Sequence, residues 1–86
     1  MPTIVFRPMF LRQYAKLPKE LREEVDEKIA LFRGDARLPT LRAHKLKGEL
    51  RGSSSFWVNY RYRVVYEYES KNRVALLAVG DHSVYN

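Results

Sequence analysis

The chain has 86 residues, 45% hydrophobic and 13% aromatic, with 16 Lys and Arg against 10 Asp and Glu for a formal net charge of +6. That composition describes one domain over residues 1–86 with a small core, and it excludes a disordered chain or two separate cores. No apolar run approaches the roughly 18 residues that a membrane span needs, and the absence of cysteine excludes disulfides and thiolate metal sites.

In chain order, Thr3-Ile4-Val5-Phe6 is a short β-branched and aromatic run stopped by Pro8, a strand whose partner must be distant in sequence. Phe10 to Lys16 reads as a brief helix with Phe10, Leu11 and Tyr14 on one side. A firmer helix opens at Pro18, with Glu20, Glu23 and Glu24 near its positive end, and closes at Gly34. Leu21, Val25, Ile29 and Phe32 recur at helical spacing and fall on one face, while the mostly acidic stretch from Glu20 to Lys28 gives the solvated face.

An irregular connection from Gly34 to Ala43 leads into strands. Alternation over 44–51 puts His44, Leu46 and Leu50 on one face and Lys45, Lys47, Glu49 and Arg51 on the other, with Gly48 as a bulge or close approach. Gly52 to Ser55 reads as a turn, Phe56 to Tyr60 and Tyr62 to Glu69 as strands, and Arg73 to Val79 as the last strand after a hairpin turn. The expected fold is α+β: an N-terminal strand, a helical hairpin, then an antiparallel sheet of about four strands with the helices on one face. The other face stays open, a platform on which arginine could pair phosphate and aromatics could stack bases.

Charged groups in strands narrow the chemistry. Arg61, Arg63, Val65 and Glu67 share one face of their strand and Tyr62, Val64, Tyr66 and Tyr68 the other. Two readings stand for the arginines: solvent-exposed ladder residues paired with Glu67 or Glu49, or a preorganised guanidinium for a phosphate. His82 follows Gly80-Asp81 at the end of the last strand, and His44 begins the second. Metal-free RNA cleavage needs a base for the 2′-hydroxyl, a cation for the transition state and an acid for the leaving 5′-oxygen, a set that two histidines, an arginine and lysines can supply. Two histidines without a close carboxylate pattern fall short of a usual metal site, so no cofactor is expected. The basic surface suits phosphate backbones and acidic proteins alike. With no secretory signal at the N-terminus, the expected location is cytoplasmic.

Taken together, the helix opening at Leu17-Pro18, the His44-Lys45-Leu46-Lys47-Gly48 stretch, the Tyr62-Arg63-Val64-Val65-Tyr66 strand and the closing Gly80-Asp81-His82-Ser83-Val84-Tyr85 resemble the RelE/ParE toxin superfamily over nearly the whole chain. The resemblance implies a helical hairpin against an antiparallel sheet, and the toxin of a type II toxin–antitoxin pair. It implies a ribosome-dependent mRNA endoribonuclease, while the ParE branch implies the alternative of a non-nucleolytic gyrase inhibitor. Under the first reading His82 is the general acid, His44 a candidate base, and Arg63 with Lys45 or Lys47 the phosphate ligands. Arg61 is a further substrate contact, and Tyr85 stacks on a base. The implied partners are a cognate antitoxin, in a possible hetero-oligomer, and mRNA on the ribosome, with no membrane.

Overall fold

The structure, a computed structural model, describes residues 1–48 and 52–81. The expected positions Glu49, Leu50, Arg51, His82 and Tyr85 lie outside the described residues. The elements run β1 (Thr3–Phe6), α1 (Pro8–Ala15), α2 (Lys19–Gly34), a 3-10 turn (Pro39–Leu41), β2 (His44–Lys45), β3 (Ser54–Trp57), β4 (Arg63–Ser70) and β5 (Arg73–Gly80). This is the α+β order read from the sequence. The sheet has five strands in the order β1-β5-β4-β3-β2. β1 pairs in parallel with β5, Ile4 opposite Val74, and the other neighbours are antiparallel. The sheet is therefore mixed, because the N-terminal strand finds its distant partner in the last one and the helical hairpin supplies the crossover that parallel pairing requires.

The helices cover one face. In α1, Phe10 is 1% exposed and Tyr14 packs one turn on, their rings 6.0 Å apart, whereas Leu11, expected beside them, is 50% exposed because one residue of rotation carries it toward solvent. In α2, Val25 and Phe32 are fully buried and Leu21 and Ile29 pack against the same core, as their spacing requires. Phe32 fixes the helix to the sheet: its ring centroid lies 4.8 Å from Phe56 and 4.7 Å from Tyr66. The acidic face of α2 also holds its neighbours, since Tyr14 donates its hydroxyl hydrogen to Asp26 Oδ1 at 2.7 Å. β1 pairs only as far as Phe6 opposite Leu76, and beyond it Val79 N donates to Gln13 Oε1 at 2.9 Å, so a side chain of α1 satisfies the edge that β1 is too short to reach.

Strand limits near the expected site differ from the sequence reading. β3 begins at Ser54, inside the expected turn, and ends at Trp57. Asn59 is the cause: its Oδ1 accepts from Arg61 N at 2.9 Å and from Tyr62 N at 2.8 Å, and Val58 N donates to Tyr62 O at 2.9 Å, which closes a tight turn before a longer strand can form. Arg61 thus stands exposed in a turn and does not share a strand face with Arg63. β2 is two residues long, and Gly48, at φ 72°, lies past its end in left-handed backbone.

Phe32→Ala should destabilise the fold by about 3–5 kcal/mol, with Phe32→Leu intermediate, in urea unfolding followed by circular dichroism. A second expectation concerns alkaline pH. Burial, with the neighbouring Tyr68, pushes the Tyr66 phenol above its ordinary 10.0, and the Ser54 bond opposes this. The Asp26 bond raises Tyr14 in the same sense. A raised folded-state value stabilises fully below pH 10.0 and is lost as pH rises through it, since the unfolded chain gives up the proton first. Unfolding at pH 9 and pH 11 should therefore show a smaller alkaline loss for Tyr66→Phe than for the parent chain.

Candidate nucleic-acid interface

Paired residues of neighbouring strands share a face. The register Phe56 opposite Val64 and Ser54 opposite Tyr66 puts these residues, with Lys45 opposite Ser54, on the helix side. On the other side lie His44 opposite Ser55, Ser55 opposite Val65, and Trp57 opposite Arg63, whose further neighbour is Gly80. The middle of that face is small and buried rather than an open basic and aromatic platform: Ser55 is fully buried, Val65 is 2% exposed and Ala78 6%. Glu67 belongs to Arg7, 3.9 Å away, and not to Arg63. The cations gather instead at the β2–β3 end.

Arg63 is held from three directions. Its Nη1 donates to Asn59 O at 2.8 Å and to Tyr62 O at 3.1 Å, and its guanidinium carbon stands 4.1 Å from the Trp57 ring centroid. Nη2 and Nε have no hydrogen-bond partner among the described residues. The turn that receives Nη1 is anchored in turn, because Asn59 Nδ2 donates to Glu24 Oε1 of α2 at 3.2 Å. A guanidinium fixed in this way presents its remaining hydrogens without further loss of side-chain freedom.

Arg42 contributes a second guanidinium over Trp57, 4.3 Å from the ring centroid. It caps the 3-10 turn in left-handed backbone, φ 47° and ψ 43°, a conformation that costs a residue with a Cβ about 1 kcal/mol. That backbone turns the Arg42 carbonyl to within 3.0 Å of His44 Nδ1. A carbonyl oxygen can only accept, so Nδ1 carries the hydrogen, and neutral His44 keeps its lone pair on Nε2. The imidazole is exposed, and the register puts His44 on the face of the sheet that carries Arg63. Strand spacing separates their Cα atoms by roughly 12 Å, two strands across and two residues along, a gap their side chains can narrow from both ends.

The structure thus brings His44 and Arg63 to one face. Lys45 takes the helix side, Lys47 is exposed past the end of β2, and Arg61 is exposed in the turn. His82 and Tyr85 lie outside the described residues. Sequence reasoning missed Trp57, Arg42 and Asn59. The available signal was the short interval from Trp57 to Arg63, which needs a tight turn nucleated by the asparagine between them. Ser55, cross-strand from His44, has a fully buried hydroxyl with no hydrogen-bond partner among the described residues. No group of three or more His, Cys, Asp or Glu among the described residues could hold a metal ion, and no helix is long and apolar enough to cross a membrane. Nitrogen-resolved NMR of the imidazole should find neutral His44 protonated at Nδ1, and Arg42→Pro, which forbids the left-handed backbone, should return a mixture of tautomers.

No family model and no curated protein matches the sequence. Solved structures do match over nearly the whole chain. YafQ from E. coli superposes with a TM-score of 0.80 at 11% identity, covering 96% of each chain. The RelBE2 toxin–antitoxin complex from Mycobacterium tuberculosis gives 0.77 at 25% identity, over 95% of this chain and 100% of the matched one. The YoeB–YefM complex from Staphylococcus aureus gives 0.75 at 22%, over 95% and 98%. The chain has the RelE/ParE toxin fold, as the resemblance in its sequence implied.

Proposed function

We propose that this chain is the toxin of a type II toxin–antitoxin pair and cleaves mRNA on the ribosome. The observation that carries the reading is one face bearing both a guanidinium with its geometry fixed and an imidazole with its free nitrogen set as a base. The fold shared with the RelBE2 and YafQ structures supports the toxin class. Fold alone does not choose a target, so the nuclease reading rests on the site.

In the proposed reaction, His44 Nε2 takes the proton of a 2′-hydroxyl, and the resulting oxygen nucleophile forms a bond to the adjacent phosphorus. Arg63, through Nη2 and Nε, stabilises the charge that builds on the phosphate oxygens. The bond to the 5′-oxygen breaks as an acid protonates it, leaving a 2′,3′-cyclic phosphate and a 5′-hydroxyl. His82 is assigned that acid role by the resemblance. It follows Asp81 directly, two positions along the sequence from Gly80, the residue paired with Arg63. Tyr85 is assigned the base-stacking role on the same ground, and Lys47 and Arg61 are outer contacts to the phosphate backbone. No metal enters the scheme.

The implied partner is an antitoxin, as in the RelBE2 and YoeB–YefM complexes. An acidic segment that orders on this chain, with its charge of +6, would block the site while neutralising it. Cytoplasmic action follows from a ribosomal substrate.

The test is a purified cell-free translation reaction with transcript ends mapped by primer extension. The parent chain should cleave the message. Arg63→Ala and His44→Gln, each folded by circular dichroism, should reduce the cleavage rate roughly 10²–10⁴-fold. Undiminished cleavage by both variants would remove the assigned site. An intact message together with inhibited gyrase supercoiling would select the ParE-like alternative.

A further inference from the structure

On the helix side of the sheet, away from Arg63, two cavities meet at Arg37 and Tyr68. The first encloses about 520 Å³ and runs to Arg42, His44 and Lys45 at the sheet edge. The second encloses about 480 Å³ and runs to Arg33 and Lys71. Together they form one trough, each half within the size range of a small-molecule site. Among the described residues its walls carry Arg33, Arg37, Arg42, Lys45 and Lys71 against one carboxylate, Asp35, whose Oδ1 already accepts from Arg37 N at 2.9 Å. The charged groups of Arg33, Arg37, Lys45 and Lys71 have no ion-pair or hydrogen-bond partner among the described residues. Five cations gathered along one channel concentrate positive charge that draws in a polyanion.

The aromatic content identifies which polyanion. Tyr68 is 52% exposed where the two cavities join, and Tyr66 meets it edge-on at 6.2 Å between centroids, so the outer ring is braced and offers a face to solvent. A braced ring between unpaired cations is the arrangement that holds a base while its phosphates are neutralised. An acidic peptide is served less well, since it would neutralise the cations but bring no base to the Tyr68 ring; Tyr66 is paired on both sides, opposite Ser54 and Leu76, while Tyr68 is paired among the described residues with Val74 alone.

We infer that this trough binds the sugar-phosphate backbone of a single RNA strand, with Tyr68 as the stacking platform for one base. The inference extends the ribonuclease reading, since Arg42 and His44 belong to both the trough and the proposed site. β2, which separates them, is an edge strand of two residues, so one polynucleotide can pass around it from the cleavage face to the helix side. RNA flanking the scissile phosphate is then gripped on the side of the sheet opposite Arg63.

The experiment measures binding of a fluorescein-labelled, fully 2′-O-methylated RNA 12-mer by anisotropy at several salt concentrations. The probe has no 2′-hydroxyl nucleophile, so binding is read independently of cleavage. Arg37→Ala/Lys71→Ala should weaken binding about tenfold at 0.1 M salt and reduce the slope of log K against log salt by about 1.4, the value for two lost contacts to single-stranded phosphate. Tyr68→Ala should weaken it roughly tenfold with the slope unchanged, and Tyr68→Phe should restore it. Affinity and slope unchanged in a folded Arg37→Ala/Lys71→Ala variant would overturn the inference. So would loss of polyglutamate binding with RNA binding intact, which would give the trough to an acidic protein. If the parent chain cleaves nothing but the double variant still loses RNA binding, the trough stands and the nuclease reading falls.

Discussion

The packing of Phe32 between Phe56 and Tyr66 is the contact on which the rest of the molecule depends. It joins the last turn of α2 to the two central strands that lead to the proposed site, and it does so with three large rings near the middle of a small core. Because Phe32 stands two residues before the end of its helix, fixing its ring also fixes where the chain leaves α2. The connection through the 3-10 turn therefore starts from a rigid point, and its own buried anchor, Leu41, holds it immediately before Arg42. In a fold this small, one aromatic contact sets the position of a loop that carries part of the proposed site.

From that anchor onward, the side chains of the proposed site are positioned largely by backbone carbonyls. His44 is oriented by the carbonyl of Arg42, and Arg63 by the carbonyls of Asn59 and Tyr62. Carbonyl groups bear no net charge, so they can direct an imidazole or guanidinium without neutralising it. Surface ion pairs would have done the opposite, consuming the charge an anionic ligand needs, and the pairs among the described residues are elsewhere: Arg7 with Glu67 and Glu69, Arg73 with Glu69, and Lys28 with Glu27. The left-handed backbone at Arg42 is the local cost of that arrangement.

Much of the fold was legible because it depends on periodicity. The spacing of Leu21, Val25, Ile29 and Phe32 located the buried face of α2, and the alternation about Val64 and Tyr66 separated the two faces of β4. Leu11 misled, since a short helix with a proline at its start gives too few turns for periodicity to choose between neighbouring positions. The parallel partner of β1 was illegible for another reason: strand pairing across the whole chain leaves no local pattern. At the site, Arg63 and His44 were legible as charged residues in strands, while Trp57, Arg42 and Asn59 were not. Their roles depend on a side-chain bond that ends β3 early and on a positive φ, and neither follows a hydrophobic period. Arg61 was assigned to the face of Arg63 for the same reason, by continuing a strand through a turn.

The place of β5 in the sheet has a consequence for how the protein is made. Arg73–Gly80 lies between β1 and β4, so β1 pairs with a strand made after all the other described ones. A ribosome that has produced both helices and the first four strands has still not supplied the neighbour that closes the sheet. β1 waits until Arg73–Gly80 has been made, at the slow end of folding because its contacts are distant in sequence. Vectorial synthesis thus delays the assembled sheet until β5 has emerged, which leaves an interval in which a partner present at the ribosome can engage the chain before β1 is paired.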